Sequence, residues 1–326
     1  LRHEAPQRML ELAQEAVRIA QELDAVKHGP KKVADHQCRA WANLGNAYRV
    51  AQQLARAKAC FKRAVELLDL GSGDPQIEIR LLDLQASLAA DRRDFNEACR
   101  ALSFVFKFHQ SRRDYHLAGR ALISQGIFTY DSGQYDEALR LLQKGLSMVD
   151  EEREPSLVLA AVHTELCLLI DCGLFKEANH LYFRKSRLLA GAQDRVNRLK
   201  IEWLKGRIYA GLSHFASAER VFREVIDGFL ADDVRRLYDS AVASLDLAAV
   251  LLSQRQTPEA RTLLREAAKT LVDIGLMREA ERAVLLLRRA AEMEMADTVL
   301  LRFVQEITAF LRRAERDPNA RFEPPV

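Results

Sequence analysis

Six alanines, Ala57, Ala98, Ala138, Ala178, Ala218 and Ala260, stand 41, 40, 40, 40 and 42 residues apart, and each opens an amphipathic stretch of the same type. "FNEACRALSFV", "YDEALRLLQKG", "FKEANHLYFRK", "FASAERVFREV" and "TPEARTLLREA" are five of them, and an aromatic precedes the alanine by three residues at Phe95, Tyr135, Phe175 and Phe215. A chain that repeats one local pattern at a near-constant interval builds the same small unit many times. Such a unit hides its apolar surface only by stacking on its neighbours. Apolar residues recur every three or four positions rather than alternately, so the unit is helical and no sheet is expected.

The most complete copy is "WANLGNAYRVAQQLARAKACFKRA", residues 41–64. Trp41, Leu44 and Tyr48 share one face of a first helix, and Gly45 leaves room for a second helix to approach. On that second helix Ala57, Phe61 and Ala64 form the answering stripe. The spacing W-x2-L-G-x2-Y-x8-A-x3-F-x2-A resembles the tetratricopeptide repeat (TPR), which implies an all-α, right-handed superhelical solenoid of antiparallel helix pairs. The slot of Gly45 is small again at Ala86, Gly126, Gly206 and Ala248, while Leu166 breaks the row. Gly133 and Gly173 fall where the turn between two helices needs a permissive backbone. A period near 40, against about 34 in the common repeat, lengthens the helices and is similar to kinesin light chains and bacterial TPR regulators.

The expected organisation is one continuous solenoid over residues 1–326. Residues 1–35 supply an N-terminal helix, either a cap or half a repeat, with Met9, Ala13 and Ala16 as its stripe. Residues 36–273 hold six repeats, 274–315 a degenerate seventh pair or cap with Leu300, Val304 and Ile307 in its second-helix slots, and 316–326 a frayed tail. "DAVKHGPKKVADHQ" reads as the longest irregular connection, and "GSGDPQ" and "DEEREPS" as turns. Because the numbering opens on Leu1, the chain reads as a piece of a longer polypeptide, and an attached effector domain outside it is one option for the rest.

Composition excludes several classes. With 48% hydrophobic and 29% charged residues the chain has ample core material. The net charge of +3 is interspersed along helices, without the Lys/Arg block of a nucleic-acid-binding tail, so no nucleic acid is expected. No apolar run approaches the roughly 18 residues of a membrane span, and no signal-peptide pattern opens the chain. A cytoplasmic location and no membrane partner follow as expectations. Five cysteines without a C-x-x-C suggest neither a disulfide framework nor a zinc ribbon.

No catalytic constellation is present. The eight histidines form no H-E-x-x-H, and no phosphate-binding or nucleophile-elbow glycine motif occurs; "LGSGD" joins two helices rather than following a strand. His163 and Cys167 share a helical face with Cys172 nearby, which reads either as a soft metal or redox site or as small residues packed between helices. The acidic pair Asp232 and Asp233 reads as a cap for the following helix. Neither enzyme activity nor a metal or other cofactor is expected.

What remains is binding. In a TPR solenoid the first helices line the concave face. Two residues before the Trp slot stand Arg39, Arg80, Arg120, Ala160, Lys200 and Val242, four of them basic. Neighbouring registers add Asn43, Asn46, Asp83, Ser124, His163, Trp203 and Arg207. Amide and hydroxyl groups suit a peptide backbone, the basic row would draw acidic side chains, and Trp203 offers an aromatic anchor. The TPR sets that clamp a carboxyl terminus use Lys and Asn here; Asn46 matches, Ala42 does not. The expected function is a protein-interaction scaffold that holds a protein or peptide, acidic by complementarity, as the recognition part of a larger protein. The alternatives are a ligand- or peptide-sensing module controlling an attached effector, and an oligomer-forming structural repeat.

Overall fold

The computed structural model describes residues 6–192, 194–273, 280 and 283–286. The degenerate pair and tail expected beyond 286, with Leu300, Val304 and Ile307, lie outside the described residues. Among the described residues up to 273, the helices run in chain order: α1 Pro6–Gln21, α2 Ala25–His28, α3 Pro30–Val50, α4 Leu54–Leu68, α5 Pro75–Asp91, α6 Phe95–Ser111, α7 Tyr115–Asp131, α8 Tyr135–Leu146, α9 Pro155–Asp171, α10 Phe175–Arg184, α11 Ser186–Ala190, α12 Arg195–Gly211, α13 Phe215–Leu230, α14 Leu237–Ser253 and α15 Thr257–Asp273. No strand occurs among the described residues. The fold is all-α and TPR-like, built from antiparallel helix pairs. It divides into two compact units, Leu1–Leu168 and Leu169–Val326, with the boundary inside α9.

The repeat is visible as packing. Ala57, Ala98, Ala138, Ala178, Ala218 and Ala260 are each 0% exposed, so the interval counted along the chain marks one buried contact made six times. Sixteen residues after the small slot comes the side chain that fills it. A Cβ built on Gly45 would stand 3.1 Å from the ring of Phe61, on Gly126 2.9 Å from Leu142, and on Gly206 2.6 Å from Phe222. The small slot thus admits a large buried side chain of the partner helix, and at Gly126 the backbone nitrogen of Leu142 as well, at 3.1 Å. The backbones of α7 and α8 also approach at a second place, where Cβ atoms on Gly119 and Gly145 would each meet the other's carbonyl oxygen, at 2.8 and 2.9 Å.

The turn inside each pair has one recurring conformation. Gln52, Arg93, Gly133, Gly173, Ser213 and Arg255, each five residues before the buried alanine, all have positive φ, between 59° and 84°. Only two of the six are glycine. The other four hold an L-residue in the left-handed region at a cost of about 1–2 kcal/mol each, which the flanking helix packing must over-determine.

Three local expectations are corrected. The connection read as irregular is helical: Asp24 caps α2 by accepting from the amides of Val26 and Lys27, and Pro30, its φ already helical, opens the 21-residue α3. In α1 the buried stripe is Leu10, Ala13, Val17 and Ala20, packed on Ala40, Leu44 and Ala47 of α3, whereas Ala16 faces solvent. The register is set by the large side chains Leu10 and Val17, which bury more surface than an alanine. Asp232 and Asp233 do not cap α14. They pair with Arg235 and Arg195, and Asp239 in the first turn of α14 binds Arg236 instead.

The fourth repeat departs from the others in sequence and in structure. Its second helix, α10, ends after 10 residues, and α11 restarts at Ser186. Lys185 stands at the break, where the other repeats place Ala64, Val105, Gly145, Val225 and Ala267, all buried. A lysine cannot leave its ammonium in a helix seam, and the helix yields there.

Candidate functional site

The first helices present the basic row, but not as free charge. Arg39 of α3 lies 3.5 Å from Asp74, the N-cap of α5. Arg80 and Asp83 pair within α5 at 2.9 Å, Arg120 of α7 reaches Asp83 at 3.9 Å and Glu154 at 3.4 Å, and His116 reaches Glu154 at 3.4 Å. His116 also accepts the amide of Asp150 on Nδ1 at 3.1 Å, so in its neutral form Nε2 carries the hydrogen toward Glu154. The result is a ladder of alternating charge that ties successive first helices together. Half-exposed pairs of this kind contribute about 0–1 kcal/mol each. They hold side chains in place without forbidding exchange for an incoming group.

Asn46 is committed to the fold. Its Oδ1 accepts from Nε and Nη2 of Arg49, whose buried guanidinium also bonds Asp91 of α5 at 2.7 Å. Asn43 is exposed, and Ser124 is half-buried. Ala42 and Ile123, in the register just after the Trp slot, are buried and line no groove. His163 and Cys167 face each other along α9 at 3.7 Å, with Cys172 exposed beyond the helix. Among the described residues no three His, Cys, Asp or Glu side chains converge as a metal site.

In the second unit, Lys200 and Arg236 meet Asp239, at 4.0 and 2.6 Å, while Arg207 binds Asp171 at 2.8 Å and lies 3.8 Å from Asp246. Trp203, expected as an aromatic anchor, is half-buried. Its indole N–H donates to Asp246 at 2.8 Å, and its ring meets Phe229 edge-on at 6.3 Å. The indole joins α12 to α13 and α14, since a buried Trp needs both an apolar bed and an acceptor. Tyr182 donates to Glu202 at 3.4 Å, and burial beside that carboxylate holds the phenol well above its ordinary range.

The structure brings together three sequence-selected residues, Arg80, Asp83 and Arg120, in the lining of a cavity of about 420 Å³ between α5, α6 and α7. Its apolar wall consists of Ile79, Val105, Phe108, Leu117 and Ala121, and its polar members add Gln76, His109, Arg112 and Asp114. The Arg112 guanidinium lies over the Phe108 ring at 4.8 Å. Asp114 is occupied as the N-cap of α7, accepting from Leu117. Burial lowers the His109 pKa from its ordinary value, with Arg120 and Arg112 adding to the effect and Asp114 and Asp83 opposing it. The α6 contribution was not foreseen, because attention to first helices passes over "FVFKFHQSRR". The signal was present there: Phe, His and Arg crowd the last two turns of a second helix, more than its core stripe requires. A smaller cavity of about 260 Å³ in the second unit is lined by Phe175, Phe215 and Val250 with Arg207 and Asp246.

The family model described as tetratricopeptide repeat matches residues 39–67, the end of α3 and nearly all of α4. No curated protein matches the sequence. Among solved structures, the chain is similar to Rap protein complexed with Competence and Sporulation Factor, with a TM-score of 0.57 and 14% identity over 91% of this chain and 81% of that one. BtubC (BKLC) from P. vanneervenii aligns over 99% of this chain and 97% of that one at 12% identity, with a TM-score of 0.36. At 14% identity the Rap likeness speaks for the fold alone.

Proposed function

We infer the function from the premise that the chain is a tetratricopeptide-repeat protein, a reading supported by the family match over residues 39–67 and by the TPR-like helix pairs. Such a chain is a helical-repeat scaffold for protein interaction. The finer reading is that it holds an extended peptide, or an extended segment of a partner protein, on the first-helix face of the first unit, with Arg80, Asp83 and Arg120 as the polar contacts. The observation that carries it is the cavity between α5, α6 and α7, where these three residues line the same pocket as Ile79, Val105, Phe108, Leu117 and Ala121. Small, mostly apolar concavities with a few convergent polar groups are where ligands anchor. The solved Rap structure, a complex with Competence and Sporulation Factor, is a precedent for this fold holding a ligand.

Selection from a library of random dodecapeptides displayed on phage tests the reading. Enriched peptides should bind the parent chain and lose binding to Arg80→Glu with Arg120→Glu. Both side chains reach solvent, so the double variant should keep its helical circular dichroism. Absence of enrichment over a blank surface, or binders indifferent to the double variant, would overturn the reading.

A further inference from the structure

We propose that the cavity between α5, α6 and α7 is an anchor for an acidic side chain directly beside an aromatic or large aliphatic one within a peptide, and that Arg112 is the residue that selects the acid. The proposal rests on the peptide-holding reading above and names its ligand chemistry. It follows from how the charges of the lining are already used.

The lining carries three arginines, Arg80, Arg112 and Arg120, against two aspartates, Asp83 and Asp114. Asp83 is shared by Arg80 and Arg120. Asp114 faces its own helix start as a cap. Arg120 has a second partner in Glu154. No carboxylate among the described residues pairs with Arg112, whose contact is the face of Phe108. A cation at the C-cap of a helix, as Arg112 is to α6, is often explained by the helix dipole. Here, however, the exposed Arg112 lines the cavity with its guanidinium carbon 4.8 Å from the Phe108 ring centroid, a contact that leaves guanidinium N–H groups for a planar acceptor. Burial lowers the His109 pKa, which favours the neutral imidazole over a competing charge. The cavity therefore has a net positive lining, and one of its three cations lacks a carboxylate.

The rest of the wall sets the second half of the motif. Ile79, Val105, Phe108, Leu117 and Ala121 form a continuous apolar surface, and about 420 Å³ is room for one large side chain with its neighbouring carboxylate rather than for a folded element. A carboxylate on Arg112 places the adjoining residue against Phe108 and Leu117. Charge complementarity excludes a lysine or arginine at the first position, and the apolar wall disfavours a polar residue at the second.

The library peptides are joined to the phage through their C-terminal ends, so the only carboxylates they offer are side chains. Enriched sequences should share Asp or Glu next to Phe, Trp, Leu or Met. A blocked synthetic version of a selected peptide should weaken about tenfold or more when its acid is replaced by the amide. Arg112→Glu should abolish binding, and Arg112→Gln, which keeps the stem on Phe108, should weaken it to a similar degree as the amide peptide. Arg63→Glu, on the exposed face of α4, should change nothing. Binders that respond to the Arg80 and Arg120 reversal but lack the acid and apolar pair, or are indifferent to Arg112→Gln, would overturn this inference and leave the peptide-holding reading standing. A library with no binders would overturn both.

Discussion

The left-handed position in each turn offers a test in which one structural cause produces effects of opposite sign. Gly133 has φ +84°, and a Cβ built on it meets no heavy atom within 4 Å, so Gly133→Ala changes backbone strain without a clash. The left-handed region costs an L-residue about 1–2 kcal/mol. Alanine also stiffens the unfolded chain, which returns about 0.5–1 kcal/mol. The expected net loss is about 0.5–1 kcal/mol. At the equivalent position, Ser213 already bears that strain at φ +63°. Ser213→Gly relieves it and pays only the unfolded-state entropy, for a net gain of about 0.5–1 kcal/mol. Urea denaturation followed by circular dichroism, with m unchanged, reads both shifts, and amide hydrogen exchange shows whether they are confined to α7–α8 and α12–α13, as near-neighbour stacking requires. A destabilised Ser213→Gly beside an unaffected Gly133→Ala would refute the assignment of strain to this position.

Other outcomes follow from the same contacts. Gly145→Ala should destabilise by about 1–3 kcal/mol less the ~1 kcal/mol gained in helix propensity, because its Cβ meets the Gly119 carbonyl and Ile123, whereas Gly45→Ala, facing only the Phe61 ring edge at 3.1 Å, should be near neutral in the same urea assay. Toward Ellman's reagent at pH 8, exposed Cys172 should react first. Cys38, whose thiol burial pushes up to about 11, and Cys60, raised by the same cause, should wait for unfolding; fast modification of Cys38 would contradict the packing of α3. His109 should titrate below its ordinary value of 6.5 by NMR. A depressed histidine pKa means the unfolded chain binds the proton first, so the stability it contributes is present above pH 6.5 and lost as pH falls through the folded value. His109→Gln should remove that acid sensitivity.

Much of the fold was legible as periodicity. Stacked units share one set of contacts, so a residue fixed by packing in one repeat is fixed in all, and the buried alanines announce this at intervals of 40 to 42 residues. The break in the small row at Leu166 likewise falls in the repeat whose second helix is interrupted. The αL turn was legible only at Gly133 and Gly173. At Gln52, Arg93, Ser213 and Arg255 the backbone conformation is imposed by the helices on either side, and the side chain gives no sign of it.

The site divides in the same way. Arg80, Asp83 and Arg120 could be placed on one face from helical spacing alone, because which side a residue occupies is a property of the helix it belongs to. The pairing of Arg120 with Asp83 and of the Trp203 indole with Asp246 joins residues 37 and 43 positions apart, and the use of Asn46 to hold Arg49 is a choice among several partners that depends on distance. The cavity itself belongs to no single helix, since Phe108 and Arg112 reach it only because α6 packs behind α5 and α7. Local periodicity set which residues face inward; the distances between elements decided which of them meet, because charge pairing and cavity shape depend on separations that no one helix contains.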